Sequence, residues 1–185
     1  VVLVAFHFAE YSVLMAQALA QFHHVLLILD KANATAELGS VPSGDGVNLE
    51  IVALDRPQSL IGAFAGANEL VRRVTDFHPD VLHCQEAVSN SLVLAMPRLQ
   101  AFPMVVSVHD PRPHSGDEAK SLSSIKRLLV LRRWRSICDV ALTHGEALVT
   151  DIVRLYPRLE GRVLSVPHGP LGGPPVTVAP EPGCL

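Results

Sequence analysis

Short apolar runs recur along the chain with helix-length segments between them. They stand at residues 1–6, 25–29, 49–53, 81–83, 104–108, 140–143 and 163–166. An apolar run without polar alternation is the signature of a strand covered on both faces, and such strands belong to parallel sheets. The intervening segments carry the three-to-four spacing of amphipathic helices. In the first, Tyr11, Leu14, Met15, Ala18, Leu19 and Phe22 share a face. In the second, Leu60, Phe64, Ala67, Val71 and Val74 point inward, with Arg72 and Arg73 outward. A third uses Val88, Leu92, Ala95, Met96 and Leu99, and a fourth Leu148, Ile152, Leu155 and Tyr156. Residues 123–137 are two-sided, with Leu122, Ile125, Leu128 and Leu129 opposite Val130, Leu131, Trp134 and Ile137, which implies a kink or burial on both sides. Residues 34–47, small and polar with Pro42, Gly44 and Gly46, read as a surface loop. The alternation predicts an α/β domain over 1–168: a Rossmann-like, doubly wound parallel sheet of about seven strands in a three-layer α/β/α arrangement. Residues 169–185, rich in Pro and Gly, read as a linker.

With 185 residues, 49% of them hydrophobic, the chain can bury the core of one domain. A formal net charge of -3 argues against a nucleic-acid partner held by bulk positive charge. Three cysteines, Cys84, Cys138 and Cys184, without close pairing, point to a reducing, cytoplasmic setting. No apolar run approaches the roughly 20 residues that span a bilayer. Arg132, Arg133 and Arg135, with Lys126 and Arg127 nearby, read first as a solvated face and second as a peripheral contact with anionic headgroups at the inner face of a membrane.

In a parallel sheet the carboxyl ends of the strands share one edge, and ligands of open α/β sheets bind just beyond it. Here that edge collects His7, Asp30, Asp55, Gln85 with Glu86, His109 with Asp110, His144 and His168. The loop after the fifth strand is the densest. It carries His109, Asp110, His114 and Asp117, stiffened by Pro111 and Pro113. A zinc site is not expected, because His109 and His114 lack helical spacing and no HExxH occurs. A dinucleotide site would need glycines after the first strand, where the chain reads His7-Phe8-Ala9-Glu10, so Asp30 is taken as a solvated strand end. Phosphate-loop and nucleophile-elbow motifs are also absent.

Four segments, Pro79 to Glu86 (PDVLHCQE), Val106 to His114 (VSVHDPRPH), Asp139 to His144 (DVALTH) and Arg162 to Pro170 (RVLSVPHGP), resemble in order and spacing the amino-terminal half of family-4 glycosyltransferases of the GT-B fold. The resemblance covers nearly all of the chain. It implies a retaining transferase of two Rossmann-like domains, the first binding the glycan or lipid-linked acceptor and the second binding the nucleotide-sugar, with no further cofactor. The linker would then lead to a carboxyl-terminal donor-binding domain, without which the 185 residues are expected to be inactive. His109 matches the family's cleft histidine and takes the catalytic role. Asp110 and His114 match a subgroup loop that contacts the acceptor, and His7, Glu86, His144 and His168 complete the substrate-binding set. The chain departs from the family at Phe8-Ala9-Glu10, where many members carry a glycine pair that admits a phosphate. Two other readings stay open: a free-standing acceptor-binding subunit, and a flavodoxin-like or Rossmann-like oxidoreductase.

Overall fold

Parallel neighbours cannot be joined by tight turns, so each strand hands the chain to a helix before the next one begins. The computed structural model describes residues 1–44, 46–110 and 122–167, the side chains of 122–127 excepted. The elements are β1 (Val2–Ala5), α1 (Ala9–Leu19), β2 (Val25–Asp30), α2 (Lys31–Leu38), β3 (Leu49–Leu54), α3 (Leu60–Phe77), β4 (Leu82–Gln85), α4 (Asn90–Leu99), β5 (Met104–Ser107), α5 (Leu122–Ile137), β6 (Val140–Thr143), α6 (Glu146–Leu155), a 3-10 turn (Pro157–Leu159) and β7 (Val163–Ser165). They form one seven-stranded sheet, β3-β2-β1-β4-β5-β6-β7, parallel throughout. The chain winds outward from β1 to β3, then crosses back through α3 to place β4 beside β1. Loops on the two sides of that junction leave in opposite directions and open a crevice between them.

Right-handed crossovers put the helices on a definite side. Helices α1 and α2 cover one face, where Ala9, Val13, Ala16 and Ala34 pack on Leu3, Ala5, Leu27 and Leu29. Helices α3 to α6 cover the other, where Leu70, Leu92, Trp134 and Ile152 pack on Val2, Val4, Leu82 and Val106. This is the expected three-layer fold. No helix among the described residues is long and apolar enough to cross a membrane.

Three sequence expectations are corrected. Residues 34–38, expected in the 34–47 loop, belong to the helix Lys31–Leu38. The Asp30 carboxylate caps that helix by accepting from the Asn33 amide at 2.8 Å, and Gly39, at φ 76, ends it in the left-handed region. Asp30 is therefore no solvated strand end; it is 2% exposed and holds Arg56 Nε at 3.0 Å. Secondly, the buried faces of the helices are rotated. On α3 the core takes Ala63, Ala67, Leu70 and Val74, while Leu60 and Phe64 stay 66% and 52% exposed. The cause is close approach: a Cβ on Gly66 would lie 2.7 Å from Ser91 Oγ of α4, so the contact stripe must be built from small residues. On α1, likewise, Ala9, Val13 and Ala16 are buried, Ala18 is exposed and Phe22 lies solvated beyond the helix end. Val88 and Leu155 are exposed as well. Thirdly, among the side chains described on α5, Trp134 and Arg135 are buried and Leu129 stands in solvent; Leu122 and Ile125 lie outside the described side chains, and the indole Nε1 donates to the Ala87 carbonyl at 3.1 Å.

The rotated stripe on α3 is testable by equilibrium urea unfolding. Leu70→Ala should cost about 2–5 kcal/mol, the range for a leucine removed from a packed core. Leu60→Ala should stay within about 0.5 kcal/mol. Equal costs would restore the face expected from sequence.

Candidate functional site

The turn from β1 into α1 is short enough that the residue ahead of the helix takes a left-handed backbone. That residue is Phe8, at φ 58 and ψ 51. A non-glycine residue pays roughly 1–2 kcal/mol for this conformation. The position where the family resemblance expects glycine thus keeps the backbone shape but carries a ring, and the ring is put to use. Phe8 lies over His109 with centroids 4.4 Å apart. His144, at the end of β6, stands 5.2 Å from His109, and Tyr11 of α1 presents an edge to His144 at 5.5 Å. Rings from the β1, β5 and β6 loops and from α1 form one cluster at the mouth of the crevice.

Hydrogen bonds fix the imidazoles in this cluster. His109 Nε2 lies 2.9 Å from Gln85 Oε1 at the end of β4; with the amide oxygen toward the ring, Nε2 carries the proton. His144 Nδ1 pairs with the Val166 carbonyl at 3.0 Å. Below them, His83 is 6% exposed and bonded through Nε2 to Ser107 Oγ at 2.8 Å. Burial, and secondly positive charge on the His109 ring, hold its pKa down at about 4, so it is neutral at physiological pH.

A second network lies beside the first. Arg135, in the last turn of α5, has a side chain 2% exposed against a Glu86 side chain 6% exposed. Its Nε donates to Glu86 Oε1, and its Nη2 donates to Glu86 Oε2 at 2.8 Å and to the Asp110 carbonyl at 2.7 Å. Burial works against the charge on Arg135, but the Glu86 hydrogen bonds and charge outweigh it, and the pKa is raised. The guanidinium also lies 5.9 Å from the centre of the Tyr156 ring. The grouping of Arg135 with the exposed Arg132 and Arg133 is thus corrected. Two residues on from Arg133, a helix has turned roughly 200°, into the interior.

Of the site residues named from sequence, the structure gathers His109 and His144 in the ring cluster and joins Glu86 to Asp110 through Arg135. His7 stands 6.4 Å from the Phe8 ring and lines a separate cavity. His114, His168 and the 169–185 linker lie outside the described residues. Sequence reasoning missed Phe8, Tyr11 and Arg135 as parts of the site. For Arg135 a signal existed, since an arginine next to Trp134 on the apolar side of a helix requires an internal partner.

Residues 9–169 match Glycosyltransferase Family 4. No sequence-similar relative was found among curated proteins. Several solved structures share the fold. UDP-N-acetylglucosamine 2-epimerase from Rickettsia bellii superposes with a TM-score of 0.60 at 11% identity, over 89% of this chain and 43% of that one. The UDP-GlcNAc 2-epimerase of Neisseria meningitidis, bound to UDP-GlcNAc, gives 0.59 at 14% identity, over 89% and 45%. Sucrose-phosphate synthase from Thermosynechococcus elongatus gives 0.56 at 15% identity, over 91% and 88%. At these identities the likeness is one of fold. The chain spans under half the length of the two epimerases.

Two measurements probe the networks. In the unfolded chain His83 takes up a proton near its ordinary 6.5, whereas in the fold it stays neutral down to about 4. Its contribution is complete above pH 6.5 and is lost as the pH falls toward 4, worth about 3 kcal/mol over that window. His83→Gln, which keeps a partner for Ser107, should flatten that part of the stability–pH curve; an unchanged curve excludes the assignment. Arg135→Met strands a buried carboxylate and should cost about 3–5 kcal/mol in denaturant unfolding. Removing both charges, Arg135→Met with Glu86→Leu, should recover a large part of that loss.

Proposed function

Because this chain belongs to Glycosyltransferase Family 4, we propose that it is the acceptor-binding half of a retaining enzyme that transfers a sugar from a nucleotide-sugar to a glycan or lipid-linked acceptor. The observation that carries the proposal is His109. It stands at the carboxyl end of β5, next to the crevice where the strand order reverses, fixed by Gln85 at 2.9 Å and by the Phe8 ring at 4.4 Å. In the transfer, the bond from the sugar's anomeric carbon to the nucleotide diphosphate breaks and a bond from the acceptor oxygen forms on the same face. The acceptor's hydroxyl proton leaves with the diphosphate. Such a transition state is helped by hydrogen-bonding groups held in place before charge develops, and His109 is one of these. Phe8, Tyr11 and His144 supply inclined aromatic faces and edges against which the C–H face of a sugar packs.

On this reading His7, Asp110, His114, His144 and His168 contact the acceptor, while Glu86, both of whose oxygens hold Arg135, acts through that arginine. The donor seat belongs to a second domain beyond the 169–185 linker, in keeping with the greater length of the epimerases that share the fold. No metal or cofactor enters the scheme. Free, buried Cys84 and Cys138 suit a reducing cytoplasm. Arg132 and Arg133 stay available for an anionic membrane face.

The test uses the full-length enzyme that contains this chain. His109→Ala should lower kcat roughly 10²-fold, the scale of one well-placed transition-state hydrogen bond, with the circular dichroism spectrum unchanged. His24→Ala, on the exposed approach to β2, should leave kcat and KM as they are. The 185 residues alone should show no transfer. A folded His109→Ala enzyme with normal kcat and KM overturns the proposal.

A further inference from the structure

On the His7 side of the crevice lies a separate open cavity of about 200 Å³, lined among others by His7, Arg56, Pro57, Val88, Ser89 and Asn90. Pockets that take a whole ligand run to roughly 300–1,000 Å³. This one fits a single terminal group. Its lining is polarised. Arg56 is anchored from behind, its Nε on Asp30 Oδ2 at 3.0 Å, and Asp30 is itself buried and fixed as the cap of α2. Among the described residues the terminal nitrogens of Arg56 have no hydrogen-bond or ion-pair partner, and its side chain is 52% exposed. A guanidinium held at Nε leaves its outer edge, with parallel N–H donors, for another planar or tetrahedral anion.

The opposite wall supplies donors of a different kind. Ser89 leads into α4 without a side-chain cap, and the first backbone bond of that helix is from Val93 N to Ser89 O at 3.0 Å. The amides of Asn90, Ser91 and Leu92 therefore have no helical acceptor, and they carry the positive end of the helix dipole. The nearby carboxylates are already engaged: Asp30 by Arg56 and Asn33, and Asp55 by Lys31 at 3.2 Å.

We propose that this cavity binds an acidic group, phosphate or carboxylate, carried by the acceptor, with Arg56 as its specificity-determining residue. The inference rests on the acceptor-side reading given above and narrows the acceptor to an anionic one. Arg56 donates a pair of hydrogen bonds from one side, the first-turn amides of α4 donate from the other, and His7 closes the rim toward the ring cluster. The anion would sit beside the β1 turn, against Phe6 and His7, while Phe8 fills the place that glycines leave open in other family members.

Direct binding to the 185-residue chain tests this without requiring turnover. Titration with inorganic phosphate, followed by amide NMR shifts, should give a saturable response centred on residues 89–92. Arg56→Gln should weaken binding roughly 10- to 100-fold, the scale of a lost charge-assisted pair. Asn90→Asp, which sets a negative charge at the start of α4 without touching Asp30, should weaken it too, and this second variant guards against a local effect of Arg56→Gln on α2. Arg154→Gln, on exposed α6, should leave binding unchanged. Glucose 1-phosphate binding above glucuronate assigns a phosphate-bearing acceptor, and the reverse assigns a carboxylate; either supports the site. Responses that fail to saturate, that centre elsewhere, or that survive both substitutions overturn it. If phosphate binds as described and the full-length enzyme transfers no sugar, the acceptor reading falls and the anion site stands. If transfer is sound and Arg56→Gln leaves phosphate binding intact, the anion site falls alone.

Discussion

A guanidinium cannot shed its proton at any pH a protein experiences, so an arginine in the interior must be met there by carboxylates and carbonyls. Arg135 imposes that constraint on this domain. To satisfy it, the last turn of α5, the carboxyl end of β4 and the loop after β5 must stand in one arrangement, with Glu86 and the Asp110 carbonyl both within reach. The 3-10 turn adds a further tie, since Arg158 donates to the Arg135 and Cys138 carbonyls at the end of α5, at 3.0 and 2.6 Å. Two consecutive residues of one strand end, Gln85 and Glu86, thereby govern two consecutive residues of the next loop, His109 and Asp110. Pairs of this kind add little net stability, because desolvating the charges offsets most of their attraction. Their effect here is to leave His109 and Asp110 few alternative positions.

The site that results contains polar side chains but little net charge. His83 is held neutral by burial, and both described cysteines have thiols pushed upward by burial, Cys138 to about 11. A thiol that stays protonated is a poor nucleophile. The chemistry available at the crevice is accordingly stacking, hydrogen bonding and proton sharing by imidazoles. On the proposed function these would position an uncharged sugar ring, and on the inference drawn from Arg56 an acidic group would be held in the neighbouring cavity.

The strands were legible within about two residues because their apolar runs are continuous, and the strand ends followed from the logic of parallel sheets. That is why His109 and His144 could be assigned to the same sheet edge from sequence; that they are neighbours follows from the strand order. Helix faces were read less well, since periodicity rewards large side chains such as Phe64 and Leu60, whereas close packing of α3 on α4 selects Ala63, Gly66 and Ala67. Helix α2 escaped notice because Ala34 is its sole buried residue, too little for a periodic signal. The left-handed turn at Phe8 leaves no mark in the sequence; the short β1–α1 connection imposes it. Arg135 was misplaced because charge was counted along the chain rather than around the helix.

The position of β1 between β2 and β4 has a consequence for how the domain is made. Val2 pairs with Leu26 on one side and with Leu82 on the other, so the second partner is encoded roughly 80 residues after the first strand. At the ~5–20 residues per second of translation, that partner emerges on the order of 4–16 s later. Until then the β1–β2–β3 unit, backed by α1 and α2, holds an open edge at β1 and an uncovered second face, and only the arrival of α3 and β4 closes both. Sequence-distant closure of this kind slows folding and exposes the nascent chain to association. A strand that lies inside the finished sheet is thus, during synthesis, its most vulnerable edge.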